Sequence, residues 1–156
     1  QSLSIIEYLC ETRGATNPEL GNLLPKNPIA RQRVRAIADS IAQNIQPVQN
    51  LRVLKYIMAP LSNPDERLSA KLSWGKHWIN NGFLALEQML ASTAGKYCVG
   101  DHVTMADLCL VPQVYNANRF KVDMSQFPII SRINEACGEL EVFKAAHPES
   151  VPDANS

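Results

Sequence analysis

Apolar residues recur at steps of three and four along most of the chain, the spacing that stacks side chains on one face of an α-helix. Ser2 precedes the first such stretch (Leu3, Ile5, Ile6, Leu9), and its hydroxyl suits an N-cap for a helix running to about Glu11. Gly14, Asn17, Pro18, Gly21, Asn22 and Pro25 then crowd residues 13–27, which predicts a linker, anchored to the body by Leu23 and Leu24. From Pro28, the positions Val34, Ile37, Ile41, Ile45, Val48, Leu51, Leu54 and Met58 predict one long amphipathic helix. Pro47 lies within it, where it lacks an amide donor and crowds the carbonyl of Gln43, so a kink is expected near Ile45.

A second long helix, about 65–92, is expected after Pro60 and Asn63-Pro64, with Leu68, Leu72, Ile79, Phe83, Leu86 and Leu90 on its stripe. Gly75 and Gly82 stand two turns apart on that helix, and a cost of roughly 1 kcal/mol each against Ala predicts a face in close contact with a neighbour. The sharpest local signal is Val103-Thr104-Met105-Ala106-Asp107-Leu108. With Thr104 as N-cap, Asp107 reaches back to the cap amide and Val103 packs on Leu108, a capping box and a hydrophobic staple together. The run Leu108–Val114 is apolar all round and predicts a helix buried at the centre of the molecule, bent by Pro112. Ser125 is expected to cap a further helix from Phe127 to about Cys137, with a last short turn over Leu140–Ala146 and a frayed tail at 148–156. No period-two run is long enough for a strand, and the chain reads as an all-α helical bundle.

Composition narrows the function classes. The 156 residues suit one domain, and 15 Lys+Arg balance 15 Asp+Glu, which argues against nucleic acid and anionic membrane as partners. No apolar run approaches the ~18 residues of a membrane span. Cys10, Cys98, Cys109 and Cys137 are dispersed, without CxxC or zinc-like His spacing, so we expect no metal site and reduced thiols in a cytoplasmic setting. Gln1-Ser2 leads straight into an apolar stripe without a basic segment, unlike a signal peptide. A short helix is marginal alone, so further sequence is expected upstream.

Taken in order, several stretches carry a resemblance: Gln1-Ser2 before Ile5-Ile6-Glu7-Tyr8-Leu9, the Leu23-Leu24-Pro25 linker, two long helices, then Gly100-Asp101-x-x-Thr104-x-Ala106-Asp107. This order resembles the glutathione transferase family. The details Ile45-Gln46-Pro47-Val48-Gln49-Asn50-Leu51, Tyr97-Cys98-Val99-Gly100-Asp101, Ala106–Gln113 and Asn118-Arg119-Phe120-Lys121-Val122-Asp123 look like its zeta class, the maleylacetoacetate isomerases. The resemblance implies that residues 1–12 are the last helix of an otherwise missing thioredoxin-like domain and 13–27 a linker. It makes 28–147 a transferase C-terminal-like helical domain and 148–156 a flexible tail.

The resemblance also implies glutathione as cofactor, a small diacid as substrate, a homodimer, and a cis-trans isomerisation in tyrosine and phenylalanine breakdown. By that likeness Gln1 and Ser2 hold the γ-glutamyl end of glutathione, Gln46, Asn50, Leu51 and Arg52 make further glutathione contacts, and Arg119 holds a substrate carboxylate. No catalytic residue is expected in this chain, because the family's thiol-activating motif belongs to the thioredoxin-like domain. The residues alone read more plainly. Ser2 is then an N-cap, Gln46 and Asn50 are solvated, and Arg119 complements a helix C-terminus. Thr104 and Asp107 serve folding, His77, His102 and His147 are isolated, and Trp74 and Trp78 pack. The alternative to an enzyme is a non-catalytic helical binding or assembly module of transferase type.

Overall fold

The structure is a computed structural model that describes residues 1–17 and 23–150; Pro18, Gly21 and Asn22 of the expected linker and residues 151–156 of the expected tail lie outside the described residues. Helix α1 spans Ser2–Arg13. Its N-cap is Gln1 rather than the expected Ser2, because the Gln1 carbonyl already accepts from the Ile5 amide (3.2 Å) and closes the first turn one residue early. The linker is tied down as expected: Leu24 is buried, and the Leu23 carbonyl accepts from the Met105 amide at 2.9 Å.

The expected long helix from Pro28 is two helices. Helix α2, Pro28–Asp39, is capped by Asn27, whose Oδ1 accepts from the amides of Ile29 and Ala30. A wide π turn, Ser40–Ile45, follows, then a 3-10 turn, Pro47–Gln49, before helix α3, Leu51–Met58. The break lies where the proline was expected to kink the chain, and it goes further. Pro47 has no N–H to continue the ladder, the Gln46 amide reaches back five residues to the Ile41 carbonyl (3.0 Å), and Asn50 restarts a helix by accepting from the Arg52 amide (3.1 Å).

Helix α4, Pro64–Ala91, starts on an Asn63 cap. Its two glycines serve close packing, as their spacing predicts: a Cβ at Gly75 would enter the Phe120 ring, and one at Gly82 would enter the Ile45 side chain. Helix α5, Met105–Arg119, lies between α2 and helix α6, Pro128–Gly138. Ile37, Phe83, Leu110, Phe127 and Ile130 fill the core around it, with the Phe83 and Phe127 rings edge to face at 5.4 Å. Helix α7, Glu141–Ala145, and a 3-10 turn, Pro148–Ser150, close the described chain, so ordered structure continues past the point where fraying was expected. Among the described residues the only extended pairing is a single bridge between Ala94 and Gly100.

The capping box at α5 forms, and its carboxylate serves more than the helix. Asp107, fully buried, accepts from the Thr104 amide and hydroxyl, both at 2.8 Å, and from the Cys98 amide at 2.9 Å. Two expectations need correction. Ser125 does not cap α6: its hydroxyl donates to Asp123 (2.7 Å), and the orphan amides of Ile129 and Ile130 donate to the Glu87 carboxylate of α4 at 2.7 and 3.0 Å. A carboxylate from another helix thus replaces the local cap, and Glu87→Ala is expected to cost about 1–2 kcal/mol, read as a shift of the urea midpoint. The second correction is that α5 is not enclosed on every side. Leu108, Val111 and Tyr115 are only half-buried and Pro112 is exposed, leaving one open face.

Candidate ligand cleft beside the central helix

That open face borders a cleft of about 460 Å³, where the N-terminus of α1 meets the π turn. Gln1, Ser2 and Ser4 line one wall, Gln43 and Gln46 the other, and Leu108, Cys109 and Pro112 lie against both. No side chain caps α1, so its first amides remain available, and the helix dipole favours an anion there. The π turn is what brings Gln43 and Gln46 to the cleft, since its five-residue hydrogen bond widens the backbone where an ordinary helix would run on.

Of the residues singled out in the sequence, Gln1, Ser2 and Gln46 come together here. Asn50, Leu51 and Arg52 do not line the cleft. Asn50 caps α3, while Leu51 and Arg52 are exposed in its first turn. Arg119 also stands outside it, ten residues beyond Cys109 on α5, roughly 15 Å at 1.5 Å rise per residue. It is exposed, 3.4 Å from the Asn116 carboxamide oxygen and 6.0 Å from the centre of the Tyr115 ring.

A second cavity of about 380 Å³ adjoins the cleft, walled by Val111, Tyr115, Phe143 and His147 and sharing Leu108 and Pro112 with the first. Leu108, Pro112, Tyr115 and Arg119 follow one another along a single face of α5, so the cleft and the apolar cavity adjoin and the exposed guanidinium lies further along the same helix face. Sequence reading missed Gln43, Leu108, Cys109, Pro112 and Tyr115 as lining residues. Gln43 stands one helical turn before Gln46, and Pro112 inside a helix marks a face where a missing amide is tolerated; both were available signals.

The surroundings of the cleft thiol disfavour its thiolate at neutral pH. Burial, then the charges of Asp39 and Asp107, push Cys109 up to about 11. Among the described residues no group of three or more His, Cys, Asp or Glu side chains could hold a metal ion, and no helix is long and apolar enough to cross a membrane.

The family described as "Glutathione S-transferase, C-terminal domain" matches residues 53–145. The chain belongs to the glutathione S-transferase family. Among sequence relatives, this transferase chain is 52% identical over 153 residues to a maleylacetoacetate isomerase of Mus musculus, an alignment covering 98% of the chain and 64% of the mouse protein. Among solved structures it is similar to a maleylacetoacetate isomerase from Anaeromyxobacter dehalogenans with glutathione bound in the active site (38% identity, TM-score 0.87, 99% of this chain and 66% of that one). It is equally similar to a maleyl pyruvate isomerase described as a bacterial zeta-class transferase (40% identity, TM-score 0.87, 98% and 69%). The chain therefore spans just under two thirds of the mouse relative.

Proposed function

We propose that this transferase chain forms the helical, substrate-facing part of a glutathione-dependent cis-trans isomerase acting on a small unsaturated diacid of the maleylacetoacetate type. The observation that carries the reading is the arrangement along α5: a cleft at a free helix N-terminus, an apolar cavity adjoining it, and a cation further along the same helix face. Bound glutathione would supply a thiolate that adds reversibly to the conjugated double bond, leaving a single bond free to rotate before elimination. In this chain, the amides of Gln1 and Ser2 hold the γ-glutamyl carboxylate, and Gln46 contacts the same molecule from the π turn. Asn50, Leu51 and Arg52, which do not line the cleft, keep their proposed glutathione contacts only through the family resemblance. The apolar cavity excludes water from the carbon skeleton, and Arg119 takes a substrate carboxylate with its planar fork. By the family resemblance of the sequence, the proposal extends to α1 as the last helix of a thioredoxin-like domain, a cytoplasmic homodimer, and a place in tyrosine and phenylalanine breakdown.

The test is the kinetics of the full-length protein on a cis-enone diacid. Arg119→Ala is expected to lower kcat/KM by about 1.5–3 kcal/mol, the worth of a hydrogen bond to a charged group, while folding survives. Arg119→Lys keeps the charge but loses the fork, so it should restore stability and only part of the activity. Diacid kinetics of Arg119→Ala equal to the parent would remove the residue from the site.

A further inference from the structure

Gln43 lines the glutathione cleft opposite Gln1 and Ser2, yet neither its sequence context nor the family likeness assigns it a role. Its carboxamide is oriented without ambiguity. Nε2 lies 2.9 Å from Asp39 Oδ1, and since a carboxylate only accepts, the nitrogen must be the end turned to Asp39. The amide oxygen, an acceptor, is left for whatever enters the cleft. Asp39 itself forms no ion pair among the described residues: Arg35, one turn before it, is committed to Glu7 at 2.7 Å. Its negative charge is nevertheless felt at the cleft, where it is the leading electrostatic contribution that raises the Cys109 thiol. One wall therefore offers donors at a helix N-terminus, and the other offers an acceptor oriented by a carboxylate that is in no ion pair among the described residues.

We propose that Gln43 Oε1 accepts a hydrogen bond from the α-ammonium of the γ-glutamyl group, with Asp39 as the positioning residue that holds the carboxamide and supplies the field. The inference rests on the glutathione reading and deepens it. The two walls then match the two charges of an amino-acid head group, carboxylate on α1 and ammonium on the π turn. A cleft so built discriminates an α-amino acid terminus from a plain carboxylic acid, because an acceptor facing a ligand without a donor is left unpaired.

The experiment is calorimetric titration of the full-length protein with glutathione and with γ-glutaryl-cysteinylglycine, the analogue in which hydrogen replaces the ammonium group. In the parent, glutathione should bind about tenfold more tightly than the analogue. Gln43→Leu is expected to weaken glutathione about tenfold and leave the analogue unchanged, so the preference collapses. Gln43 is exposed, so folding is expected to survive, and the thermal melt checks it. Asp39→Ala should give the same selective loss, because the carboxamide is then free to turn. Equal weakening of both ligands, or none, would overturn the assignment while leaving the glutathione reading intact. A parent protein that binds neither ligand would overturn both.

Discussion

Asp107→Ala should cost about 3–5 kcal/mol of stability, two to three times the worth of an ordinary helix cap. A cap residue replaced by Ala loses about 0.5–2 kcal/mol, because water satisfies the exposed amide in its place. Asp107 is different because it is fully buried and accepts three hydrogen bonds, from the Thr104 amide and hydroxyl and from the Cys98 amide. Truncation leaves two backbone N–H groups in a closed interior, and each such orphan costs roughly 1–3 kcal/mol. It also removes the negative charge that the N-terminus of α5 favours. Asp107→Asn keeps one acceptor oxygen and presents two donors toward groups that themselves donate, so an intermediate loss of about 2 kcal/mol is expected. Urea unfolding read at constant m-value checks both. A loss near 1 kcal/mol for Asp107→Ala would mean that water reaches the Cys98 amide.

The second large effect concerns alkaline pH. Cys98, Cys109 and Cys137 are buried in the core. From an ordinary thiol value of 9.0, desolvation, followed by the Asp107 charge, pushes Cys137 up to about 12 and raises Cys98 as well. For Cys109 desolvation comes first, then Asp39 and Asp107, and the value is about 11. A raised folded-state value means that the unfolded chain loses these protons first. The folded state then binds more protons, so stability is full below pH 9 and declines above it. Each thiol contributes a slope of about 1.4 kcal/mol per pH unit until its own folded-state value is reached. Under reducing conditions, the parent is expected to lose about 3–4 kcal/mol per pH unit more between pH 9 and 11 than a variant with all three cysteines changed to Ala. Comparing slopes removes the packing cost of the substitutions and the contribution of lysines and tyrosines. Parallel alkaline limbs would show that the thiols ionise alike in both states.

The two predictions draw on one carboxylate, and its history shows how far local reasoning reached. The spacing of Thr104 and Asp107 predicted the capping box, because both partners lie within one turn of helix. The Cys98 amide, nine residues earlier, reaches the same carboxylate only because the chain turns back through the Ala94–Gly100 bridge. Glu87 and the start of α6 repeat the lesson across 42 residues: Ser125 was the reasonable local cap, and a carboxylate from α4 took its place.

Hydrophobic spacing determined by itself that this chain is an all-helical bundle, where most helices run, that Pro47 interrupts one and that two glycines face close neighbours. It also carried the family likeness. All of these depend on side chains within four residues of one another, or on the order of such stretches. Which residues share the cleft was decided by tertiary structure. Gln1 and Ser2 meet Gln43 and Gln46 only when α1 packs beside the π turn, and the form of that turn depends on an amide five residues out of register that periodicity does not encode. The open face of α5 was likewise hidden. Leu108, Pro112 and Tyr115 look like core residues in a row of core residues, and only the placement of α7 and the turn after it shows that they line a cavity rather than fill one. Burial is a property of what other segments of the chain leave uncovered, and a local pattern reports only what a segment is able to bury.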